Sequence, residues 1–350
     1  MDELNIAGRR IGAGHSPFIV AEIGSNHNGD MALCRRIIDA AKGAGAEAAK
    51  FQSWSKVSLI GRAEYERNTK YAKQDPSALT LEQAVERYQL TPEQHRETAT
   101  YCRERGITFL SSCFSTQEVD LLESLGTPAY KIASMDVNHL PLLEYVARTG
   151  KPVILSTGMA TLGEIEAALR VLRREGSGPV VLLHCVSMYP CPAPEVNLRN
   201  IPTLQTTFGI PVGLSDHSLG NAIPLAAVAL GACLIEKHFT VDKQLEGWDH
   251  AISADPGDFA ALVQGSRDVF EALGRAERIV GDKELEKRKA FRRRMVTRRP
   301  MKKGDRLRPE DVDFKRPGTG IRPDELCYVV GRVLTRDLAA EDELEWTDLE

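Results

Sequence analysis

Two short stretches, Val212-Gly-Leu-Ser-Asp-His217 and Leu234-Ile-Glu-Lys-His-Phe239, carry the pattern that decides the fold. Each begins with apolar residues and then carries three polar or charged ones, Ser-Asp-His in the first and Glu-Lys-His in the second, and a mostly apolar segment long enough for a helix lies between them. Uninterrupted apolar character over about four to eight residues is typical of a strand that is buried on both faces, as parallel strands are. The two stretches therefore predict neighbouring parallel strands joined by a helix.

The same unit of strand and helix recurs upstream. Six further apolar runs have this form, at residues 18–24, 48–53, 108–113, 129–134, 153–157 and 180–185. Segments with helical periodicity follow several of them and stop near a glycine, at residues 32–43, 117–126, 140–150 and 162–175. Strands alternating with helices in this number, over about 225 residues, predict a closed (β/α)8 TIM barrel. An open doubly wound sheet is the alternative, but the GxGxxG turn typical of that fold does not follow the first strand.

The remaining residues predict a second, smaller domain. Composition changes after the expected last barrel helix at residues 258–274, because Lys and Arg become frequent between Asp282 and Lys303. Short alternating segments broken by Gly and Pro follow, and such segments are typical of β structure. We therefore predict a catalytic barrel over residues 1–275, a charged helical linker over 276–290 and a small β-rich domain over 291–350.

Composition and charge narrow the class of protein. Of the 350 residues 42% are hydrophobic and 27% are charged, and the net charge is −4. These values exclude a chain that is disordered throughout, and they exclude a protein that attracts nucleic acid through an overall positive charge. The longest mostly apolar run, residues 222–235, is shorter than a membrane span. Seven scattered cysteines form no CxxC pair and the first residues form no secretion signal, so we expect a cytoplasmic protein with no nucleic-acid or membrane partner.

Polar side chains gather where the predicted strands end, which is where active sites of such barrels lie. They comprise Glu22, Lys50, Gln52, Ser112, Lys131, Ser134, Ser156, Ser215, His217, Glu236 and His238. Lysine and hydroxyl groups donate hydrogen bonds to phosphate or carboxylate, so these residues predict an anion site. His217 and His238 end adjacent strands and could present two imidazoles to one divalent cation, although hydrogen-bonded core histidines fit the same pattern. Cys113, Cys185 and Cys191 near this rim are interpreted as packing residues.

Short motifs stand at each of these strand ends and in the tail. They are AEIGSNHNGD (21–30), KFQ (50–52), YKIAS (130–134), STGMAT (156–161), HCVSMYP (184–190), GLSDHSLG (213–220), IEKHFT (235–240) and RPGTG (316–320). Together and in this order they resemble the sialic acid synthase family, that is, the N-acetylneuraminate synthases and their relatives. The resemblance covers nearly the whole chain, and the tail resembles the antifreeze-like SAF (β-clip) module of that family.

The resemblance implies a transferase that condenses phosphoenolpyruvate with the open-chain aldehyde of an N-acetylmannosamine-type sugar. The products would be a nonulosonic (sialic-type) 2-keto acid and phosphate. A related synthase for a 4-amino, 6-deoxy or phosphorylated sugar, giving a legionaminic- or pseudaminic-type acid, is the alternative. A carbohydrate- or ice-binding module on an inactive barrel is disfavoured, because an inactive barrel has no reason to keep buried lysines and histidines.

The resemblance also implies roles for individual residues. Its catalytic positions correspond to Glu22, Lys50, Lys131, His217 and His238, with Glu22 a proton-transfer group and the two histidines the ligands of Mn²⁺ or Mg²⁺. Its substrate-binding positions correspond to Gln52, Ser112, Ser134, Asp136, Ser156, Ser187, Tyr189, Ser215, Glu236, Asp249 and Arg316. Among these, Tyr189 and Asp249 correspond to the sugar side. Arg316 corresponds to an arginine that the partner subunit inserts over the N-acyl group, which implies a domain-swapped homodimer.

Three positions on the sugar side depart from the family pattern. Asp136 stands where many members have Glu, Ser187 where some have Asn, and Trp248 where Pro is common. The positions that correspond to the phosphoenolpyruvate side are all retained. The resemblance therefore specifies the reaction type and leaves the sugar open.

Overall fold

A computed structural model describes residues 3–67, 80–317 and 319–350. These residues form two compact units, Met1–Gly274 and Arg275–Glu350. In the described part of the chain no helix is both long and apolar enough to cross a membrane.

The first unit begins with an antiparallel hairpin, β1 (Leu4–Ile6) and β2 (Arg9–Ile11), which sequence patterning did not indicate. Leu4, Ile6 and Ile11 are fully buried and pack with the apolar residues that begin the barrel strands, such as Phe18 and Leu234. The hairpin therefore closes the N-terminal end of the barrel. The opposite end of the barrel interior, where the strands finish, is not covered by this hairpin.

Eight parallel strands close into a barrel, which confirms the predicted (β/α)8 fold. They are β3 (Phe18–Gly24), β4 (Ala48–Ser53), β5 (Thr108–Cys113), β6 (Tyr130–Ile132), β7 (Val153–Ser156), β8 (Val180–Cys185), β9 (Val212–Asp216) and β10 (Leu234–His238). Every residue of β8 is buried, as its nearly continuous apolar pattern requires of a strand covered on both faces. The strand β6 is shorter than the expected 129–134 because Ser134 begins a 3-10 turn, Ser134–Asp136.

Most helices surround the barrel and pack their buried apolar residues against the outer face of the strands. They are α1 (Met31–Gly43), α2 (Lys56–Leu59), α3 (Arg62–Arg67), α4 (Leu81–Tyr88), α5 (Pro92–Arg105), α6 (Thr116–Ser124), α7 (Leu140–Ala147), α8 (Leu162–Arg174), α9 (Ala193–Val196), α10 (Asn200–Phe208), α11 (Ala222–Ala229) and α12 (Pro256–Leu273), with a 3-10 turn at His250–Ile252. Of these, α3 and α4 pack with Trp54 and Phe114 in a separate cluster. Local chemistry fixes the ends of the helices. Thr91 caps α5 through its side chain with Pro92 in the first turn, and Gly106 ends that helix in the left-handed conformation (φ 64°).

The second unit is small and has its own apolar core. It contains α13 (Asp282–Phe291), β11 (Arg294–Thr297), β12 (Val312–Lys315), α14 (Leu326–Val329) and 3-10 turns at Pro309–Asp311, Pro323–Glu325 and Trp346–Asp348. β11 and β12 pair antiparallel, and isolated bridges such as Met301 to Leu338 join the remaining segments. Met295, Leu344 and Val329 are fully buried in the core. The expected β-rich tail is therefore present.

Candidate active site

The C-terminal ends of the barrel strands enclose a cavity of about 210 Å³. Most of the residues singled out in the sequence line it, namely Glu22, Lys50, Gln52, Ser112, Lys131, Ser134, Ser156, Ser187, Tyr189, Ser215, His217, Glu236 and His238. The fold brings them together because parallel strands of a barrel end on the same side. Their common placement makes this cavity the candidate active site.

Lys50 lies at the centre of a hydrogen-bonded group at one side of the cavity. Its Nζ is 2.5 Å from Glu22 Oε2 and donates to Ser112 Oγ at 3.3 Å. Gln52 Nε2 donates to the other carboxylate oxygen, Glu22 Oε1, at 2.8 Å, and Trp54 Nε1 donates to Gln52 Oε1 at 3.1 Å. Burial by itself would lower the pKa of Lys50, but the carboxylates of Glu22 and Glu236 outweigh it and raise that pKa. Lys50 is therefore a firmly held cation.

Lys131 is bound more loosely. Its Nζ lies 3.5 Å from Glu236 Oε1 and 3.5 Å from the carbonyl oxygen of Ile132. Burial lowers the pKa of Lys131, and repulsion by Lys50 adds to the shift while Glu236 opposes it. Burial would raise the pKa of Glu236, but Lys131 and Lys50 lower it to about 2. The cavity thus holds a buried, ionised carboxylate between two buried lysines.

Hydroxyl groups complete the donor set on the same walls. Ser215 Oγ donates to Glu236 Oε1 at 3.0 Å, whereas Ser156 Oγ is buried without a hydrogen-bond partner. Gly158 N donates to Ser134 Oγ at 3.0 Å. A Cβ at Gly158 would come within 2.8 Å of Ser134 Oγ, so only glycine allows this close approach. The unpaired Ser156 hydroxyl is a free donor for a ligand.

The two histidines lie side by side at another edge of the cavity. Their ring centroids are 5.5 Å apart, and the ring of Tyr189 is 4.1 Å from that of His217. His217 Nδ1 lies 2.8 Å from the carbonyl oxygen of Val186. A carbonyl only accepts, so Nδ1 carries the proton, and in the neutral imidazole Nε2 keeps its lone pair. His238 Nδ1 is buried with no hydrogen-bond partner, at 3.9 Å from Asp249 Oδ2.

This arrangement fits a divalent cation held by two protein nitrogens. A free lone pair on His217 and an unsatisfied buried nitrogen on His238 are what a metal ligand pair requires. Among the described residues, no group of three or more His, Cys, Asp and Glu side chains is arranged to hold a metal. The remaining coordination positions would therefore belong to water or substrate oxygen, as in an open catalytic site.

Three of the singled-out residues do not line the cavity. Asp249 is next to the cavity residue His238, with its Oδ2 3.9 Å from His238 Nδ1. Asp136 is partly buried next to His139, with 3.5 Å between its Oδ1 and the His139 Nδ1, and burial raises its pKa. Arg316 belongs to the second unit, where it is exposed and its guanidinium lies 5.4 Å from the centre of the Phe291 ring.

Several cavity residues were missed in the sequence. Phe114, Ala133, Met135 and Met159 line it but are apolar and carry no chemical signature. Cys185 was interpreted as a packing residue, yet it lines the cavity with Sγ 3.6 Å from Ser134 Oγ and 3.9 Å from His217 Nδ1. Burial would raise the pKa of this thiol, but the neighbouring His217 outweighs burial and lowers it. Its position at the C-terminal end of β8 was the signal that could have found it.

Other polar residues near the strand ends are structural. His27 is buried outside the cavity, its Nδ1 accepts a hydrogen bond from Gly29 N at 3.0 Å, and burial lowers its pKa to about 3. Asn26 Nδ2 donates to the carbonyl oxygen of Phe239 at 2.9 Å, which ties the loop after β3 to the end of β10. His184 Nε2 donates to the carbonyl oxygen of Val196 at 2.6 Å, as expected of a hydrogen-bonded core histidine.

Comparisons with known proteins agree with this geometry. The profile of the NeuB family matches residues 37–278, and that of the SAF domain matches residues 292–350. The N,N'-diacetyllegionaminic acid synthase of Legionella pneumophila is 40% identical over 97% of this chain and 96% of its own. The pseudaminic acid synthase of Helicobacter pylori is 37% identical over 95% of this chain and 98% of its own.

A solved structure shares the fold as well. The crystal structure of N-acetylneuraminic acid (sialic acid) synthetase from Leptospira borgpetersenii superposes with a TM-score of 0.72 at 36% identity. The match covers 82% of this chain and 95% of that one. These comparisons confirm the resemblance seen in the motifs: the chain belongs to the NeuB family and carries a SAF domain at its C-terminal end.

Proposed function

We propose that the protein is an enzyme that condenses phosphoenolpyruvate with the open-chain aldehyde of an amino sugar, forming a nonulosonic 2-keto acid and phosphate. Relatives that match over nearly their whole length are synthases of legionaminic and pseudaminic acids, and a solved relative is a sialic acid synthetase. The cavity that supports this reaction is the one at the C-terminal ends of the strands.

One observation carries the proposal: the buried ammonium of Lys131 has no close hydrogen-bond acceptor, and the buried hydroxyl of Ser156 has no partner. Lys131 is 3% exposed, yet its nearest polar atoms are 3.5 Å away, and Ser156 Oγ has no partner. An unmade hydrogen bond on a buried polar group is costly, so such groups are typical of a ligand site. The carboxylate and phosphate of phosphoenolpyruvate would supply a closer acceptor for Lys131 and a partner for Ser156.

The reaction joins two carbons and breaks one C–O bond. C3 of phosphoenolpyruvate attacks the aldehyde carbon of the sugar, and the aldehyde oxygen takes a proton. A water adds to C2, where positive character develops, and the tetrahedral intermediate loses phosphate by cleavage between C2 and the bridging oxygen. Phosphoenolpyruvate, aldehyde and water thus yield the 2-keto acid and inorganic phosphate.

The chain's own groups supply binding and proton transfer. Lys50 and Lys131, with Ser112, Ser134 and Ser156, hold the anionic groups and stabilise the charge that develops on them. We assign proton transfer to Glu22, whose carboxylate lies at the cavity wall between Lys50 and Gln52. These two contacts hold both of its oxygens in place.

We further propose that His217 and His238 hold a divalent metal, Mn²⁺ or Mg²⁺. When bound, the metal is a Lewis acid that polarises the sugar aldehyde for attack by a weak carbon nucleophile. The hydrogen bond from His217 to Val186 keeps the Nε2 lone pair of that histidine available, and Asp249 stands 3.9 Å from His238. Tyr189, Asp249, Ser187 and Asp136 are the proposed contacts of the sugar.

For the acceptor we propose an N-acetylmannosamine-type sugar without a phosphate group. Among the described residues that line the cavity, the only lysine or arginine side chains are Lys50 and Lys131, and we assign both of them to phosphoenolpyruvate. A 4-acetamido-6-deoxy sugar is the second candidate, favoured by an apolar cluster that continues from the cavity. Phe114 lines the cavity and packs with Trp54 and Tyr88, and Trp248 contacts Trp54 at 6.0 Å and Tyr88 at 5.0 Å between ring centres.

We also propose that Arg316 reaches the sugar of the partner subunit in a domain-swapped homodimer. Apolar side chains are exposed at the cavity mouth, with Met135 at 58%, Met159 at 73% and Tyr189 at 52% exposure. Exposed apolar patches of this kind are typical of protein interfaces. We expect the enzyme to work in the cytoplasm, in line with seven cysteines that are all free thiols.

The experiment is a substrate panel. Purified protein with phosphoenolpyruvate and Mn²⁺ is given N-acetylmannosamine, its 6-phosphate or a 4-acetamido-6-deoxy analogue, and products are identified by mass. We expect phosphate and a nine-carbon keto acid from an unphosphorylated sugar. Turnover of the 6-phosphate alone would overturn the proposed acceptor, and no keto acid from any of the three would overturn the function.

A further inference from the structure

Two side-chain links join β9 and β10, one on each face of this strand pair. The parallel register places Ser215 beside Glu236 and Asp216 beside Lys237. The first pair faces the cavity and is the hydrogen bond between Ser215 and Glu236 described above. Side chains alternate along a strand, so the second pair lies on the outer face, away from the substrate.

The outer pair is a buried ion pair with an unusual number of hydrogen bonds. Lys237 Nζ lies 2.6 Å from Asp216 Oδ2 and donates to the carbonyl oxygen of Ser218 at 2.7 Å. Asp216 Oδ1 accepts from Ser218 N at 2.9 Å and from Ser218 Oγ at 2.7 Å. Asp216 and Lys237 are each 3% exposed.

These contacts surround one residue, His217. Asp216 precedes it, Ser218 follows it, and Lys237 holds both neighbours to β10. The peptide oxygen of His217 also accepts from Cys191 N at 2.8 Å. With its backbone fixed on both sides, the imidazole stays in reach of Val186, whose carbonyl oxygen sets its protonated nitrogen.

A buried ion pair is a poor way to gain stability, because apolar residues of similar volume often serve as well. Hydrogen bonds are directional, however, and those of this pair hold the Asp216–Ser218 turn in one arrangement. The strand β10 then carries Lys237 on its outer face and Glu236 and His238 towards the cavity. The Asp216–Lys237 pair thus links β9 to β10 next to the two histidines, His217 and His238.

We propose that Lys237 and Asp216 are positioning residues that hold His217 in the orientation and tautomer needed to bind a metal beside His238. They touch neither substrate nor metal and act through the Asp216–Ser218 turn. The inference rests on the proposed function for its catalytic meaning, but the placement of His217 can be measured without any reaction.

The test uses a double variant, Lys237→Met/Asp216→Asn, which removes both charges and so leaves no unpaired ion in the core. Protein labelled with ¹⁵N-histidine is examined by NMR without metal, and the His217 signals are assigned by comparison with His217→Gln. Wild type should show a single tautomer protonated at Nδ1. The double variant should fold, yet show a shifted or mixed tautomer for His217.

Two further measurements distinguish a positioning role from a general loss of structure. The Kd for Mn²⁺, measured from the free-ion EPR signal, should rise about 10- to 100-fold in the double variant, whereas the KM of phosphoenolpyruvate should stay unchanged. The matched control is Lys151→Met, which removes a lysine that pairs with Glu123 at 2.8 Å outside the cavity. It should leave the His217 signals and the Mn²⁺ affinity as in wild type.

Unchanged His217 signals in the folded double variant would overturn the inference, whether or not wild type makes a keto acid. Failure of the proposed function has a different signature, because wild type would then form no product while the NMR comparison still decides the role of Lys237.

Discussion

The Lys131 ammonium lies 3.5 Å from Glu236 Oε1, beyond the range of a close charge-assisted hydrogen bond, although both side chains are almost fully buried. The two lysines, Lys50 and Lys131, are balanced by the two carboxylates, Glu22 and Glu236, but Lys131 has no short hydrogen bond to either carboxylate. An incoming anion can therefore draw Lys131 towards itself without first breaking a strong contact. This loose pair, beside the firm pair of Lys50 and Glu22, is the basis of the proposed anion site.

Replacing Lys131 with Met should remove a main anion contact. We expect phosphate release to fall by about 100-fold or more and the KM of phosphoenolpyruvate to rise, since loss of one preorganised charge contact commonly has effects of this size. Steady-state kinetics of Lys131→Met against the control Lys151→Met, whose lysine does not line the cavity, provide the comparison. An unchanged KM for phosphoenolpyruvate would contradict the assignment of Lys131.

Replacing His238 with Ala should abolish turnover while the fold is retained. The imidazole lies at the edge of the cavity with Nδ1 unsatisfied, so its removal leaves no buried charge uncompensated. Keto-acid formation and Mn²⁺ affinity are to be measured together with a thermal melt. A variant that melts like wild type and still binds Mn²⁺ as tightly would rule out His238 as a ligand.

The pKa of Glu236 predicts a pH dependence of stability. Its pKa is lowered from 4.5 to about 2 in the folded protein, so its ionised form stabilises the fold above its ordinary pKa. This contribution is lost as the pH falls from about 4.5 through about 2. The difference in unfolding free energy between wild type and Glu236→Gln, from urea titrations, should therefore shrink over that window. A difference that stays constant down to pH 3 would show that the carboxylate is not held ionised.

Arg316→Ala should raise the KM of the sugar far more than that of phosphoenolpyruvate. At a sugar concentration where neither Arg316→Ala nor Lys131→Ala turns over by itself, mixing the two variants should restore partial activity if the arginine serves the partner's cavity. Native mass spectrometry confirms that mixed dimers have formed. No recovery in such dimers would count against the swapped arrangement.

The hairpin at the N-terminal end should matter for stability and not for catalysis. Ile6 is fully buried among residues of the barrel interior. Ile6→Ala should lower the unfolding free energy by about 2–5 kcal/mol, the usual range for such a cavity. At a temperature where the variant is folded, its kcat and KM should match those of wild type. A changed KM for either substrate would mean that the hairpin shapes the active site.

The sequence predicts the barrel well because its strands are buried on both faces and so are nearly continuous apolar runs. The hairpin of Leu4 and Ile11 escaped prediction because its two strands have three residues each, too few to show a period. Its burial depends on contacts with strand starts that are distant in the chain.

The cavity lining was predictable where a charged or hydroxyl side chain ended a strand, as Lys50 and Ser156 do. Met159 and Phe114 gave no such signal, because apolar side chains occur equally in a hydrophobic core. His27 has the right residue type close to the right strand, but the turn after β3 directs it into a buried hydrogen bond with Gly29. The type of a residue and its position along the chain do not determine which way its side chain points within a loop.

One isotope measurement tests the central claim most directly. Phosphoenolpyruvate labelled with ¹⁸O at the bridging position is converted in the presence of Mn²⁺ and the sugar that turns over, and both products are weighed by mass spectrometry. Condensation with C–O cleavage predicts that the label leaves in inorganic phosphate and that the keto acid is unlabelled. Label retained in the organic product would mean that the P–O bond breaks instead, and would contradict the account.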